Sequence, residues 1–194
     1  MKSYSNKLIV AGCDEAGRGS LVGPVVAASV ILPKDFNCHL INDSKLLSEK
    51  KRNNAYDIII NKCISYAIGI VDEKKIDEIN ILNASILAMH KAINNLKIVP
   101  NLLLIDGNQF KQYKNIQHKC VVKGDKKFIS IAAASIVAKV FRDKFMLNLH
   151  NKINDFKWNN NKGYPTKFHR QMIERLGPSI YHRKSFQLTK KIDK

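Results

Sequence analysis

Ile9-Val-Ala-Gly-Cys-Asp-Glu-Ala-Gly-Arg-Gly-Ser-Leu-Val-Gly-Pro-Val-Val-Ala-Ala-Ser-Val-Ile-Leu-Pro33 is the stretch on which the fold turns. Two apolar, β-branched runs, Leu8 to Cys13 and Val25 to Leu32, flank a glycine-rich polar turn. Runs bounded by Gly and Pro in this way predict two buried strands joined by a loop. Two adjacent acids, Asp14 and Glu15, stand at the end of the first strand. Carboxylates set against a hydrophobic core resist ionisation through desolvation and mutual repulsion, and a divalent cation relieves both. The following Gly17-Arg18-Gly19 offers backbone N–H groups and a guanidinium, both suited to phosphate. Acid pair plus phosphate-reading loop implies metal-dependent phosphodiester chemistry.

Two other readings compete. Gly17, Gly19 and Gly23 after a strand also suit a dinucleotide-binding loop, but that motif needs a helix next. Here Pro24 and the run Val25 to Ile31 predict a second strand, and Asp14 and Glu15 would repel a pyrophosphate. Taken alone, the acids also fit a solvated hairpin turn without chemistry.

Working outward, the 194 residues suffice for one packed core. Residues 1–194 read as a single domain whose last part, from about 151 to 194, forms a small helical subregion. An apolar fraction of 45% argues against wholesale disorder. Against 16 Asp and Glu stand 33 Lys and Arg, a net charge of +17, which calls for a polyanionic partner such as nucleic acid. Heavy use of Lys, Asn and Ile also fits a genomic bias, which tempers that inference. No run approaches membrane-spanning length, and neither a signal segment, a lipidation signal nor a basic amphipathic helix appears. A cytosolic protein without membrane contact is expected. Cys13, Cys38, Cys63 and Cys120 are widely spaced and read as small hydrophobes in a reducing compartment.

Further along, Ser48 is a candidate N-cap for a helix carrying Ala55, Ile58, Ile59 and Cys63. Ile64, Tyr66, Ile68 and Ile70 alternate with smaller or polar residues, predicting a third strand with those side chains on its buried face. Asp72 opens a charged helical stretch, and Leu82, Ile86, Met89, Ile93 and Leu96 mark a second helix. Leu102-Leu103-Leu104-Ile105 has the continuous apolar character of a central strand and ends in Asp106-Gly107. In open α/β sheets chemistry gathers at such carboxyl ends, although Asp-Gly is also an ordinary turn pair. A short strand, Cys120 to Val122, leads to Lys123-Gly124-Asp125, and Ser130 to His150 forms a long helix whose first half is small and apolar. The C-terminal part carries Trp158, Gly163-Tyr164-Pro165-Thr166, a helix from about Lys167 to Leu176, and His182-Arg183-Lys184-Ser185-Phe186. Its interleaved aromatics and cations suit either stacking on nucleotides or packing onto the main body.

The segments Cys13-Asp14-Glu15-Ala16-Gly17-Arg18-Gly19-x-Leu21-x-Gly23-Pro24-Val25, Asp43-Ser44-Lys45, Ile105-Asp106-Gly107 and Lys123-Gly124-Asp125 are joined by three more. These are Ala133-Ala134-Ser135-Ile136-x-Ala138-Lys139-Val140-x-Arg142-Asp143, Gly163-Tyr164-Pro165-Thr166 and His182-Arg183-x-Ser185-Phe186. In this order, over almost the whole chain, they resemble the bacterial ribonuclease HII family. The resemblance implies an α/β, RNase H-like fold with a mixed central sheet flanked by helices. It implies an endoribonuclease that hydrolyses the RNA strand of RNA–DNA hybrids. It further implies incision 5′ of single ribonucleotides in duplex DNA, leaving a 3′-hydroxyl and a 5′-phosphate. Asp14, Glu15, Asp106 and Asp125 would be the catalytic, metal-binding carboxylates. Gly17, Arg18 and Gly19 would read the ribose 2′-hydroxyl, and Tyr164 would stack on the next deoxyribose. Ser44, Lys45, Lys139 and Arg142 would hold phosphates. The partners implied are RNA–DNA hybrid and ribonucleotide-containing DNA, bound by a monomer.

The chemistry of the residues agrees. Two Mg²⁺ or Mn²⁺ ions roughly 3.5–4 Å apart activate water, neutralise phosphate and stabilise the leaving oxygen, and oxygen-only ligands match such hard cations. The 2′-hydroxyl is what separates RNA from DNA. Side chains of adjacent strand residues face opposite ways, so Glu15 is expected past the strand end or at a bulge. Asp143 competes with Asp125 as fourth ligand. His182 suits packing or a phosphate contact better than metal ligation, and Gln187-Leu188 is too short to support a sliding-clamp peptide. A non-catalytic basic binding protein and a nuclease of the same fold without ribonucleotide preference are the rival functions.

Overall fold

The computed structural model describes residues 1, 3–5, 7–38, 40–41 and 47–189. The first two strands are β1 (Val10–Ala16) and β2 (Val25–Ile31). After them come α1 (Glu49–Lys62), β3 (Ser65–Val71), α2 (Glu73–Asn94), β4 (Leu102–Asp106) and β5 (Gln117–Val121). A 3₁₀ turn (Gly124–Lys126), α3 (Ile129–Lys152), α4 (Trp158–Asn161) and α5 (Lys167–Leu176) complete the order. The sheet runs β3-β2-β1-β4-β5, with antiparallel pairs on one side of β1 and parallel pairs on the other. This is the mixed sheet expected from three strands in meander followed by alternating units. No helix of the described residues is long and apolar enough to cross a membrane, and the four cysteines are free thiols.

Alternation along β1 sorts its side chains between two cores. Ala11 and Cys13 pack on one side with Ala84, Ala88 and Met89 of α2. On the other, Ala16 packs with Ala132, Ala133 and Ala134 of α3. Gly12 lies under the start of α3, where an added Cβ would sit 2.1 Å from the Ser130 carbonyl carbon. A bare Cα in the strand and alanines in the helix therefore bring α3 down onto the sheet.

Two expectations need adjusting. On β3 the buried positions are Ser65, Ala67, Gly69 and Val71, the small residues, while Ile64, Tyr66 and Ile70 are exposed. The strand exists but its more buried face is the other one: α2 packs closely on the small side chains, and of the four larger residues only Ile68 is partly buried, against the core shared by α1 and α3. The charged stretch after Asp72 and the apolar helix behind it form one element broken at Asn80 (φ 64°, ψ 164°). Asp72 caps the first half through Lys75 N–H and Asn80 caps the second through Asn83 N–H. Ser48 caps α1 as expected, accepting from Lys51 N–H.

Candidate active site

The parallel register Cys13↔Ile105 brings the carboxyl ends of β1 and β4 side by side. Asp14 follows Cys13 and Asp106 follows Ile105, so both acids emerge at the same end. Both also face α3, since Cys13 and Ile105 point into the α2 core. Glu15 pairs with Ala27 in an unbroken ladder. It therefore lies neither past the strand end nor at a bulge, and its side chain starts on the α2 face. It still reaches the same cavity, because β4 stops at Asp106 and leaves the flank of β1 open. A cavity of about 240 Å³ is lined by Asp14, Glu15 and Asp106 together with residues 16–19, Ser135, Lys139 and Tyr164.

These acids are poorly compensated. Burial first, then the charges of Glu15 and Asp106, hold the Asp14 carboxyl well above the usual range, although hydrogen bonds from Ser135 and from Glu15 N–H oppose this. Burial also raises Glu15, with Arg18 opposing through a 3.1 Å ion pair and Asp106 adding to the rise. Asp106 Oδ1 accepts from Gly124 N–H at 2.7 Å, which ties the 3₁₀ turn to the end of β4. Asp125, next in that turn, is buried and stands outside the cavity wall. Excess buried negative charge on hard oxygen donors fits divalent cations. Among the described residues no three such side chains converge as a ready-made cage.

The loop after β1 is held from beneath. Gly17 has φ +94°, and a Cβ there would lie 2.0 Å from Arg142 Nε, so glycine is required on both counts. Arg142 is fully buried. It donates to Pro24 O, Lys162 O, Val22 O and Ser20 Oγ at 2.7–3.2 Å. Its expected role as a phosphate ligand is therefore corrected: the guanidinium is occupied in tying the loop to the segment before Tyr164. Arg183, also buried, donates to Gly23 O and Arg18 O. Burial, with Arg142 nearby, pushes Arg183 down to about 9. Tyr164 is half-buried, with Lys139 Nζ and Arg142 Cζ each 5.5 Å from its ring centre.

Asp143 is occupied by cations. Lys139 Nζ meets its Oδ1 at 2.7 Å and Arg52 Nη1 its Oδ2 at 3.4 Å. It thus orients Lys139 toward the cavity and braces α1 against α3. Ser44 and Lys45 lie outside the described residues. Ser135, which sequence reasoning left among the small residues of α3, proves to be the hydroxyl on Asp14; its one signal was polarity inside an alanine run. Trp158 and His182 are buried and both hydrogen-bond to His169 Nε2, so neither is placed to stack on a nucleotide or touch phosphate.

Acids at the carboxyl ends of two adjacent parallel strands, in one cavity with a glycine-rich loop and a lysine, define a metal-dependent phosphodiesterase site on an RNase H-like sheet. The family model for Ribonuclease HII matches residues 11–189. A Ribonuclease HII from Christiangramia forsetii is 55% identical over 185 residues, 95% of this chain and 93% of the relative. The solved RNase HII of Archaeoglobus fulgidus, in its complex with PCNA, superposes with TM-score 0.79 at 25% identity, over 95% of this chain and 98% of that one. Bst-RNase HIII in complex with Mn²⁺ shares the fold, with TM-score 0.73 at 17% identity over 94% of this chain and 68% of that one. The chain belongs to the ribonuclease HII family. It is a metal-dependent endoribonuclease, and the RNA strand of RNA–DNA hybrids is what the family hydrolyses.

Proposed function

We propose that this ribonuclease recognises the passage from RNA to DNA. On this reading it incises 5′ of a single ribonucleotide in duplex DNA and leaves a 3′-hydroxyl and a 5′-phosphate. The observation that carries the reading is the shared cavity, whose lining includes the three acids, the 17–19 loop, Lys139 and Tyr164. Asp14, Glu15 and Asp106 would hold two divalent cations, Mn²⁺ or Mg²⁺, which supply an activated water, charge neutralisation and a stabilised leaving oxygen. Asp125, buried in the turn that Gly124 N–H ties to Asp106, would join them as fourth carboxylate only if that turn shifts toward the cavity. The amides of residues 17–19 suit a ribose 2′-hydroxyl, which can donate and accept where DNA has only hydrogen. Tyr164 offers a ring face to the adjoining sugar, where an extra hydroxyl would crowd it. Lys139, oriented by Asp143, supplies positive charge at the cavity, and the net charge of +17 holds the duplex at longer range.

The test incubates the protein with Mg²⁺ or Mn²⁺ and a DNA duplex carrying one internal ribonucleotide, with an all-DNA duplex as control. Nicking of the first alone, on the 5′ side of the ribonucleotide, supports the proposal. Cutting of RNA runs in hybrids without cutting at the lone ribonucleotide would leave the hydrolytic role intact and sink the junction-reading roles. Binding of the one-ribonucleotide duplex without cutting in either metal would likewise sink the junction reading.

A further inference from the structure

We propose that the consecutive residues His182 and Arg183 are a positioning pair. They fix the separation between the Gly17-Arg18-Gly19 loop and Tyr164, and so set the preference for a lone ribonucleotide followed by DNA. The inference rests on the junction reading above.

The geometry begins with a buried polar chain. His169 Nδ1 lies 2.9 Å from the Tyr164 carbonyl, so it must carry the proton and donate. That leaves His169 Nε2 as an acceptor, and two donors converge on it at 3.2 Å, Trp158 Nε1–H and His182 Nε2–H. His182 Nδ1 in turn accepts from Ser179 N–H at 2.9 Å. Every ring nitrogen of the pair is thus assigned, both rings are neutral, and the chain ends on the backbone of Tyr164. Burial favours that neutral form in both histidines.

Arg183 performs the same service for the loop. Its Nη1 donates to Arg18 O at 3.1 Å and its Nε to Gly23 O at 2.9 Å. In a trans peptide the C=O and the following N–H point opposite ways. Drawing the Arg18 carbonyl inward therefore turns Gly19 N–H outward, at a residue that lines the cavity. Arg183 Nη2 is buried with no acceptor among the described residues, a cost accepted so that the other two donors reach the loop. Between the two side chains the backbone is stitched as well. Arg183 N–H donates to Leu21 O, Gly23 N–H to Tyr181 O, and Leu21 N–H to Gly163 O, each at 2.9 Å. One dipeptide thus spans the element that would read the ribose and the ring that would meet the deoxyribose.

The experiment compares wild type, His182→Leu, His182→Gln and Arg183→Lys on two substrates. One is duplex DNA with a single ribonucleotide, and the other is a hybrid with a continuous RNA strand. We expect His182→Leu and Arg183→Lys to lose about tenfold more kcat/KM on the lone ribonucleotide than on the hybrid, the scale of a misplaced positioning group. His182→Gln should keep the wild-type ratio, because its amide can accept from Ser179 and donate to His169. The second measurement is metal-free binding, read as the ratio of Kd for the one-ribonucleotide duplex to Kd for all-DNA, which should lose its discrimination in the same two variants. Equal losses on both substrates, with the binding ratio unchanged, would reduce the pair to ordinary scaffold and overturn the inference. If wild type itself shows no preference in either measurement, the junction reading fails first and takes this inference with it. Arg183→Lys and His182→Gln, the mildest changes, keep the test decisive should His182→Leu fail to fold.

Discussion

The end of the sheet that carries the acids and the scaffold beneath the 17–19 loop are built on opposite electrostatic plans. At the acid end, three carboxylates share one cavity, Arg18 forms an ion pair with Glu15 alone, and burial works against their charge. Beneath the loop, two guanidiniums and two imidazoles are buried, and nearly every donor and acceptor is matched. The first arrangement stores repulsion that a divalent cation would release, whereas the second stores position. Chemistry and selectivity in this protein therefore respond to different perturbations, and variants should separate them.

The largest separation should come from Asp14→Asn. Removing one of the cavity carboxylates should cost on the order of a thousandfold in cleavage rate. The same change should make the metal-free protein more stable at neutral pH. Because burial and its neighbours raise the folded pKa of Asp14, its stabilising contribution is complete below the ordinary carboxylate range and lost as pH rises through the folded value. Asparagine has no such loss. Thermal melting in a chelator should therefore show the variant above wild type at pH 7, with the difference vanishing near pH 4. Added Mn²⁺ should raise the melting temperature of wild type more than that of the variant.

Arg142→Leu tests the other plan. Were Arg142 a phosphate ligand, its loss would weaken DNA binding and leave the fold alone. Buried as it is, with four acceptors on its guanidinium, its removal should destabilise the protein by about 3 kcal/mol or more, through acceptors left unsatisfied. Denaturant titration measures this, and the salt dependence of DNA binding by the remaining folded protein should keep its wild-type slope.

How far these two regions could be read from the sequence follows the same division. β1, β2 and β4 were legible because each is an apolar run closed by Gly or Pro. Asp14 and Asp106 each also fitted an ordinary turn, and it was the recurrence of an acid at the end of two such runs, together with the family resemblance, that marked them. Glu15 was legible as a residue but not as a geometry: no local rule shows that β4 ends one residue short of it. The face of β3 was misread because isoleucines and a tyrosine outweigh Ser65, Ala67 and Gly69 in any hydrophobicity count, while close helix packing selects the small side chains. Arg142 was misread for a related reason, since an arginine in a basic chain looks like a ligand until its burial is known. The His169–His182 chain depends on residues thirteen apart whose tautomers only the tertiary structure assigns.

His182 gives a sharper handle on the scaffold. Burial, then His169, pushes it down to about 4. A base with a depressed folded pKa contributes stability that is present above its unfolded value, about 6.5, and lost as pH falls toward the folded one. Across that window wild type should lose roughly 3 kcal/mol more than His182→Gln. Asp77 has a lowered pKa and weakens the fold in the same direction, but at lower pH, because its unfolded range starts near 3.8. Denaturant midpoints taken from pH 7 to pH 4.5 should converge between the two proteins as acid is added. Parallel curves would mean that the imidazole pair is solvated after all.

The smallest effect separates a residue in the cavity from those that support it. Lys139 is the cation that faces the cavity from α3, but it is also paired with Asp143, so its removal frees a carboxylate that Arg52 still partly balances. Lys139→Ala should therefore cost little stability, within about 1 kcal/mol for a partly exposed pair. On DNA its signature should be a reduction of about one in the slope of log Kd against log salt, as expected when a single cation no longer neutralises a phosphate. Asp143→Asn leaves the cation in place but unhooks it from its support. It should preserve the salt slope while lowering the cleavage rate, because charge near the duplex remains and its aim at the cavity does not. If both variants changed the slope equally, Asp143 would matter only through net charge, and the ion pair would have no part in directing Lys139.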